Sequence, residues 1–531
     1  MSAKGISFHH PVAFWLGCAC VIAGVLAHLP MLAMAAPMHY HLAGMPMDRA
    51  MRVGMALVPL GVLLAGYGLM PRLAQMRRAL HPERSPLPFH VADHVPLNRE
   101  HWKLVIVLTL ALAVDVMKPA TIGFVMPGMA AEYGISAATG GLLALSALIG
   151  TTVGSVVWGR LGDLFGRRAT ILLSALMFMG TSICGAMPAF GWNLVMCFMM
   201  GAAAGGMLPI TFTLMAETIP TAHRGWLLVA LGGVGTSAGY LLASGAATLF
   251  EPSFGWRALW LLNLPTGALI VLLNRYIPES PRFLALAGLE DQARRVLQQF
   301  SGNQPPVRNA PPGATHAHDA PRIGMRQLLR GRHATITWGL LVCAVAWGLA
   351  NFGFLLWLPA NLVKLGVDAQ ASAALLARSA VLALPGVAVV VGCYQRWSSI
   401  RTLVLFIALT AAALLLFFAV GALGWRANAL TTAATVLLLL SVSGVIATLI
   451  PYAAEIYPVH LRSTGAGLIA GGSKLGGILG ALLGVLGLFE HFMLSALLIA
   501  LPMAAAAWVL ARRGIETRGH GLEAIQQALA D

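Results

Sequence analysis

The sequence predicts an all-α membrane protein with about fourteen transmembrane helices. We expect two pseudo-symmetric six-helix bundles around a central cavity, preceded by an extra N-terminal two-helix hairpin. Three observations support this fold class. Of the 531 residues, 58% are hydrophobic and only 10% are charged, against about 25% charged residues in soluble domains. Apolar runs of membrane-spanning length recur along the chain, and a charged motif that ends one run returns in the second half of the chain.

Residues 1–75 are predicted to form the transmembrane hairpin, with apolar runs at 12–36 and 51–71. A signal peptide cleaved near Ala33-Met-Ala-Ala is the alternative, but the first run is long for one and a second run with a basic exit follows. Two additional spans leave the orientation of the downstream chain unchanged.

The loop at the tip of this hairpin is rich in methionine and histidine: Met31, Met34, Met38, His39, His41, Met45 and Met47. Thioether and imidazole groups are ligands of Cu(I). No fixed ligand spacing accompanies them, so we predict no metal site and interpret the methionines as packing residues.

The remaining chain alternates polar segments and apolar runs. Residues 76–102 form a Pro- and His-containing cytoplasmic linker, 103–284 the first six-helix bundle, 285–334 a central cytoplasmic loop, 335–511 the second bundle, and 512–531 a cytoplasmic tail. The predicted spans are 103–127, 136–158, 169–188, 190–215, 225–250, 256–277, 335–362, 371–395, 402–422, 428–452, 465–489 and 491–511. Within the central loop, 289–300 has an amphipathic helical pattern, and 301–322 has the composition of a segment without fixed structure.

Charge and cysteine placement exclude several function classes. The formal net charge is +15, but the Lys and Arg residues fall mostly in alternate loops, as the positive-inside rule requires. We therefore predict no nucleic-acid partner. The six cysteines lie in apolar runs and form neither a disulfide framework nor a zinc site. No phosphate-binding loop and no catalytic constellation is discernible, so we predict neither an ATP-driven pump nor an enzyme, and no cofactor.

A repeated motif marks the ends of two predicted helices. Ala216-Glu217-Thr-Ile-Pro220 is followed by Arg224, and Ala454-Glu455-Ile-Tyr-Pro458 is followed by Arg462. In each copy the proline ends the helix, and the Glu and Arg side chains can bridge neighbouring helix ends. The repeat indicates two related halves.

A glycine-rich charged segment, Gly159-Arg-Leu-Gly-Asp-Leu-Phe-Gly-Arg-Arg168, lies between the second and third core runs. Together with the repeats and with Pro278-Glu-Ser-Pro-Arg-Phe-Leu, it resembles the major facilitator superfamily. More narrowly, these motifs look like the sugar-porter, organic-ion and aromatic-acid branches, and Gly205-Gly-Met-Leu-Pro209 and Trp357-Leu-Pro359 are similar to the metabolite and aromatic-acid proton symporters. The resemblance covers residues 100–515 and leaves out the hairpin.

This resemblance implies alternating access, in which two bundles rock about a site near the membrane midplane. The loop charges would then form a cytoplasmic gate of ion pairs that break and re-form. The expected gate residues are Gly159, Arg160, Asp163, Gly166, Arg167, Arg168, Glu217, Arg224, Glu455 and Arg462. An alternative is that these charges only orient the helices. The second-half turn at 392–401 has no acid, so we expect the gate to depend more on the N-terminal half.

Charges inside predicted spans identify the candidate transport site, because such charges are costly in a membrane. Asp115 and Lys118 are spaced i,i+3 on the first core helix and can share one face. We predict that Asp115 carries a coupling proton beside Lys118; a static ion pair is the alternative.

Two further intramembrane cations, Arg378 and Lys474, make the predicted cavity net positive and favour an anionic substrate. Asn351 and Trp357 on the seventh core helix are expected to line the same cavity. Plain packing, or for Arg378 snorkelling to the interface, is the alternative.

The combined prediction is a secondary active transporter, a monomer in a bacterial-type inner membrane with both termini cytoplasmic. Its partners would be protons, the lipid bilayer and a small organic anion such as a carboxylate or aromatic acid. A metabolite or drug efflux permease, a metal-chelate transporter that uses the hairpin, and a sensor built on a transporter fold remain alternatives.

Overall fold

The computed structural model describes residues 10–70, 95–135, 137–301, 331–355, 385–386, 388–422, 428–458, 461–486, 488, 491–522 and 524–526. Thirteen helices in these residues are long and apolar enough to cross a membrane. The predicted all-helical membrane fold is confirmed. Most of the predicted span at 371–395 lies outside the described residues, as does most of the segment at 301–322.

The chain divides into two compact units. The first comprises residues 1–218 and 234–304, and the second comprises 219–233 and 305–531.

The N-terminal hairpin belongs to the first unit. Its helices are α1 (Pro11–Leu26), α2 (Leu29–Met34) and α3 (Arg49–Leu69), and the Asp48 side chain caps α3 by accepting from Met51 N at 2.7 Å. Helices α1 and α3 cross closely because they meet at glycines: a methyl group on Gly17 would lie 2.6 Å from the Gly61 carbonyl oxygen. Small residues at such crossings are typical of helix packing in membranes.

Between residues 99 and 301, the described part of the chain forms nine α-helices. They are α4 (Arg99–Tyr133), α5 (Ala137–Phe165), α6 (Arg167–Gly180), α7 (Phe190–Thr218), α8 (Thr221–Phe254), α9 (Arg257–Leu261), α10 (Asn263–Leu272), α11 (Pro281–Leu286) and α12 (Glu290–Ser301). Helix α7 packs against α4, α5 and α6, and α10 packs against α6. Helix α12 corresponds to the amphipathic pattern predicted at 289–300.

Within the residues that the structure describes, the second unit contains the first turns of α8 and five long helices. The long helices are α13 (Gly331–Gly348), α14 (Ser399–Ala422), α15 (Asn428–Ile456), α16 (Arg462–Val485) and α17 (Phe492–Arg513). Helix α13 continues as a π-helix over Leu349–Phe354 and packs on α16, while α14 packs on α15 and α17. A π-helical turn inside a helix commonly marks a functional position.

The structure changes one boundary that the sequence suggested. The charged segment at 159–168 is not an extended turn, because α5 continues to Phe165 and α6 begins at Arg167. Only Gly166 separates the two helices, and its φ of 99° is in the region that favours glycine.

Candidate functional site

The end of the first unit that holds Gly166 is here called its gate end. Gly166 is required there for two reasons: its positive φ strains any other residue, and a β-carbon would collide with the Glu279 carboxylate. The sharp reversal brings Asp163, on the last turn of α5, beside Arg167, on the first turn of α6. The conformational freedom of glycine at this one position therefore allows the charged cluster to form.

Arg167 is the centre of this cluster and is only 1% exposed. Its guanidinium lies 3.3 Å from an Asp163 carboxylate oxygen and 3.0 Å from Glu217 at the end of α7. It also donates to the Gly162 carbonyl oxygen at 3.1 Å. A buried cation is tolerated only when it is paired and hydrogen-bonded, and Arg167 meets both conditions.

Glu279 completes the gate end, although sequence analysis gave its motif no role. Its carboxylate accepts from the backbone N–H groups of Arg167 at 2.7 Å, Arg168 at 3.2 Å and Ser280 at 3.0 Å. It thus satisfies the free N–H groups at the start of α6. Burial raises the pKa of Glu279 to about 7, while the hydrogen bonds and the two arginine charges oppose this rise. In the sequence, the signal for this role was an acid that follows a membrane helix and precedes Ser-Pro.

The other predicted gate residues of this unit occupy supporting positions. Arg168 donates to Asn274 Oδ1 at 2.7 Å, whereas Gly159 is buried within α5 and Arg160 is half-buried one residue later. The structure therefore brings together Asp163, Gly166, Arg167, Arg168 and Glu217 around Glu279.

In the second unit, Glu455 is buried at the end of α15 and binds two hydroxyl groups. Tyr394 Oη donates to it at 3.1 Å and Thr517 Oγ1 at 2.6 Å. Arg224 interacts electrostatically with the same carboxylate. These residues line a cavity of about 360 Å³, together with Arg396 and residues of the tail.

Both copies of the repeated motif have the same local geometry. Arg224 Nε donates to the Ile219 carbonyl oxygen at 3.3 Å, and Arg462 Nε donates to the equivalent Tyr457 oxygen at 3.1 Å. The glutamates of the two copies differ, because Glu217 pairs with Arg167 whereas Glu455 binds hydroxyl groups. Each arginine side chain is therefore hydrogen-bonded to the backbone of the residue just before the proline of its motif.

The tail supplies the acid that the second-half turn lacks. Glu516 accepts from Ser399 N at 3.0 Å and binds the hydroxyl groups of Ser398 and Ser399, so it caps α14. Burial raises the pKa of Glu516, but the hydrogen bonds from Ser398 and Ser399 and from the Arg518 backbone lower it more, and the net pKa lies below its usual value. The sequence analysis missed Glu516 because it lies far along the chain from the turn.

Asp115 and Lys118 meet on α4, inside a membrane span. Lys118 Nζ lies 3.4 Å from Asp115 Oδ1 and 3.5 Å from the centroid of the Phe178 ring on α6. Lys118 is fully buried and Asp115 is 5% exposed. The i,i+3 spacing thus produces a buried ion pair whose cation also contacts an aromatic face.

Lys474 on α16 lies beside the π-helical turn of α13. Its Nζ is 5.3 Å from the centroid of the Phe352 ring, and Phe352 packs edge-on against Trp347 at 5.9 Å. Lys474 and Asn351 are half-buried, whereas Trp347 is buried and donates to the Val442 carbonyl oxygen. Trp357 and Arg378 lie outside the described residues.

Three methionines of the hairpin tip, Met31, Met45 and Met47, pack in a small apolar core, whereas Met34 and Met38 are exposed. Met31, Ala35, Leu42 and Met51 are buried there, with Met45 and Met47 against them. Among the described residues, no group of three His, Cys, Asp or Glu side chains is arranged to hold a metal ion. All six cysteines are free.

Replacing Glu279 with Gln should remove a pH dependence of stability. A raised carboxyl pKa means that the folded protein holds the proton, so the stability it contributes is lost as pH rises through about 7. We expect the unfolding temperature of the unsubstituted protein in detergent to fall between about pH 4.5 and about pH 7, from the ordinary carboxyl pKa to the raised one, and Glu279→Gln to flatten this fall.

Glu516→Gln is the matched control. Because its pKa is lowered, Glu516 contributes stability throughout this range and loses it only as pH falls below the ordinary carboxyl value. Its substitution should lower the unfolding temperature by the same amount at each pH. Parallel curves for Glu279→Gln and the unsubstituted protein would contradict the assigned pKa.

Comparison with known proteins identifies the fold. The chain is 27% identical over 439 residues to the niacin transporter NiaP of Acinetobacter baylyi, covering 82% of this chain and 98% of that protein. It is 28% identical over 436 residues to the 4-hydroxybenzoate transporter PcaK of Pseudomonas putida, covering 78% and 93% of the two chains. The solved structure of the proton:xylose symporter XylE bound to 6-bromo-6-deoxy-D-glucose superimposes with a TM-score of 0.68 at 18% identity, covering 81% of this chain and 99% of that one.

A family model described as Major Facilitator Superfamily matches residues 108–481. This range contains most of α4, the helices that follow it and most of α16, and with them the gate end of the first unit and both intramembrane lysines. The relatives of this chain are transporters. This agrees with the prediction from the sequence that the protein is not an enzyme. The chain is an integral membrane protein that belongs to the Major Facilitator Superfamily.

Proposed function

We propose that this protein carries a small organic anion, a carboxylate or aromatic acid, across a bacterial-type inner membrane by proton-coupled alternating access. The observation that carries the substrate class is Lys474, a cation within a membrane span and beside an aromatic pair. The names of the relatives, which include niacin, 4-hydroxybenzoate and gallate transporters, support the same class.

Lys474 is suited to bind a carboxylate attached to a ring. The Lys474 side chain is half-buried, and the half-buried Phe352 ring beside it, which packs edge-on against Trp347, offers an aromatic surface for the ring of such a ligand. A charge-assisted hydrogen bond in such a site contributes about 1.5–3 kcal/mol. Asn351 in the π-helical turn would orient the substrate, with Trp357 and Arg378 as further members of the proposed site.

Asp115 is the proposed proton carrier. In the ion pair, Asp115 is ionised and Lys118 is held between a carboxylate and the Phe178 ring. A proton on Asp115 would break the pair and leave the ammonium with the ring alone, so protonation and helix packing are linked. This link is the physical basis for coupling.

The gate end of the first unit and the Glu455 cluster of the second are proposed to face the cytoplasm, because arginines are retained on that side. Both termini would then also be cytoplasmic. Alternating access requires charge pairs that form in one state and separate in the other. The proposed pairs involve Arg167 with its two carboxylates and Arg224 with Glu455.

Asp115→Asn tests proton coupling. In proteoliposomes, an inward pH gradient should accelerate nicotinate or 4-hydroxybenzoate uptake by the unsubstituted protein but not by Asp115→Asn. Exchange of labelled for unlabelled substrate, which needs no net proton movement, should persist in the variant. Glu251→Gln, at the end of α8, is the control. Undiminished gradient-driven uptake by Asp115→Asn would favour the static ion pair.

Lys474→Gln tests the substrate class. We expect its half-saturating concentration for an aromatic carboxylate to rise by about tenfold or more, the factor for one charge-assisted hydrogen bond. The corresponding amide should be little affected, so the preference for acid over amide should disappear. Lys103→Gln, an exposed lysine paired with Glu100, is the matched control. An unchanged preference would exclude Lys474 from the anion site.

A further inference from the structure

The N-terminal hairpin precedes the residues that match the family model, and the function proposed above assigns it no part. It nevertheless packs on the first core bundle. Both α1 and α3 contact α6, and Val25 of α1 forms a buried cluster with Ile183 and Met187, which follow α6. The hairpin is therefore part of the first unit along most of its length.

The backbone of the loop at the tip of the hairpin binds one carboxylate of the core bundle. Glu132, at the end of α4, accepts from Leu42 N at 2.7 Å and from Ala43 N at 3.1 Å. The same carboxylate binds Arg257 Nη2 at 2.6 Å and Trp256 Nε1 at 2.9 Å. Glu132 thus joins the hairpin loop, the end of α4 and the start of α9.

The charge state of Glu132 suits this role. Burial raises the pKa of Glu132, but the hydrogen bond and charge of Arg257 and the two loop N–H groups lower it more. The net pKa lies below the ordinary carboxyl value, so the group stays ionised near neutral pH. An ionised carboxylate accepts hydrogen bonds that are about twice as strong as neutral ones.

The loop is held in a conformation that isolated peptides seldom adopt. His39 and Tyr40 have φ values of 52° and 59°, which is uncommon for residues other than glycine. Tyr40 contacts the Phe254 ring at 6.1 Å, and Gly44 N donates to the Pro188 carbonyl oxygen at 3.0 Å. Such backbone strain persists only where several contacts fix it.

The end of α4 needs such a support because its last third is weakened. Pro119 and Pro127 each remove a backbone hydrogen bond from the helix that also carries Asp115 and Lys118. Helices bend most readily at such points. A fixed point at Glu132 would limit the bending of the segment beyond the prolines.

We propose that Glu132 is a positioning residue through which the hairpin holds the end of α4, and that hairpin and first bundle move as one body during transport. The inference rests on the proposed transport function for its kinetic readout alone. Its structural readouts need no substrate, so the two ideas can fail separately.

A disulfide between hairpin and bundle tests the common movement. A β-carbon on Gly180 of α6 would lie 3.8 Å from Val58 Cβ of α3, within the spacing of a disulfide. The Val58→Cys/Gly180→Cys protein should cross-link on mild oxidation and keep its rate of substrate exchange, with each single variant as control. Failure to cross-link would overturn the docked geometry. Loss of exchange that a reductant restores would overturn the common movement.

Glu132→Gln tests the positioning role. Hydrogen exchange of peptides covering 36–47 and 124–133 should accelerate by on the order of tenfold relative to Glu251→Gln, since one charge-assisted contact is lost. The maximal exchange rate of substrate should fall while the half-saturating concentration stays constant, and Glu132→Asp should restore part of the rate. Equal hydrogen exchange in Glu132→Gln and Glu251→Gln would overturn the proposal, and so would a change in half-saturation alone.

Discussion

The buried guanidinium of Arg167 is the constraint on which the gate end of the first unit depends. It touches α5 through Asp163 and α7 through Glu217, while its own backbone N–H is capped by Glu279. Removing one partner from a buried ion pair costs about 3–5 kcal/mol, which is a large part of a typical net stability of about 5–15 kcal/mol. One cation therefore holds the ends of three helices together. Each carboxylate offsets part of the free-energy cost of burying this cation.

The two units achieve similar helix caps with acids from different places. Glu279 follows the last core helix of the first unit and caps α6; Glu516 follows the last helix of the second unit and caps α14. The resemblance extends to the repeat, whose arginines each donate to a carbonyl five residues earlier. The difference lies in charge, because the first cap adjoins buried arginines whereas the second binds serine hydroxyl groups. Under the proposed alternating access, this difference predicts unequal contributions of the two helix caps to gating.

Much of the fold could be predicted from the sequence because membrane spans are local features. Run length and hydropathy are sufficient to place them, and the i,i+3 spacing of Asp115 and Lys118 directly implies a pair on one helix face. Glu279, Glu516 and Glu132 could not be assigned in this way. Each binds backbone or hydroxyl groups far away in sequence, and a single chain contains no periodic signal for such a contact. The sequence also placed ten residues, 159–168, between the second and third core spans, whereas a single glycine with a positive φ separates the two helices.

The N-terminal hairpin also makes contacts that sequence patterns do not predict. Its methionines were interpreted as packing residues, and Met31, Met45 and Met47 do pack in an apolar core beside the loop that binds Glu132. The hairpin loop contacts Glu132 through main-chain N–H groups, which sequence patterns do not report.

A double-mutant cycle of Asp163→Asn and Glu217→Gln tests the central claim most directly. With one carboxylate removed, the other still compensates the charge of Arg167; with both removed, the buried guanidinium has lost both carboxylates with which it forms ion pairs. The free energy of unfolding should therefore fall by more in the double variant than the sum of the single losses, by about 1 kcal/mol or more. Additive losses would mean that the two carboxylates act independently and would contradict a gate end organised around Arg167.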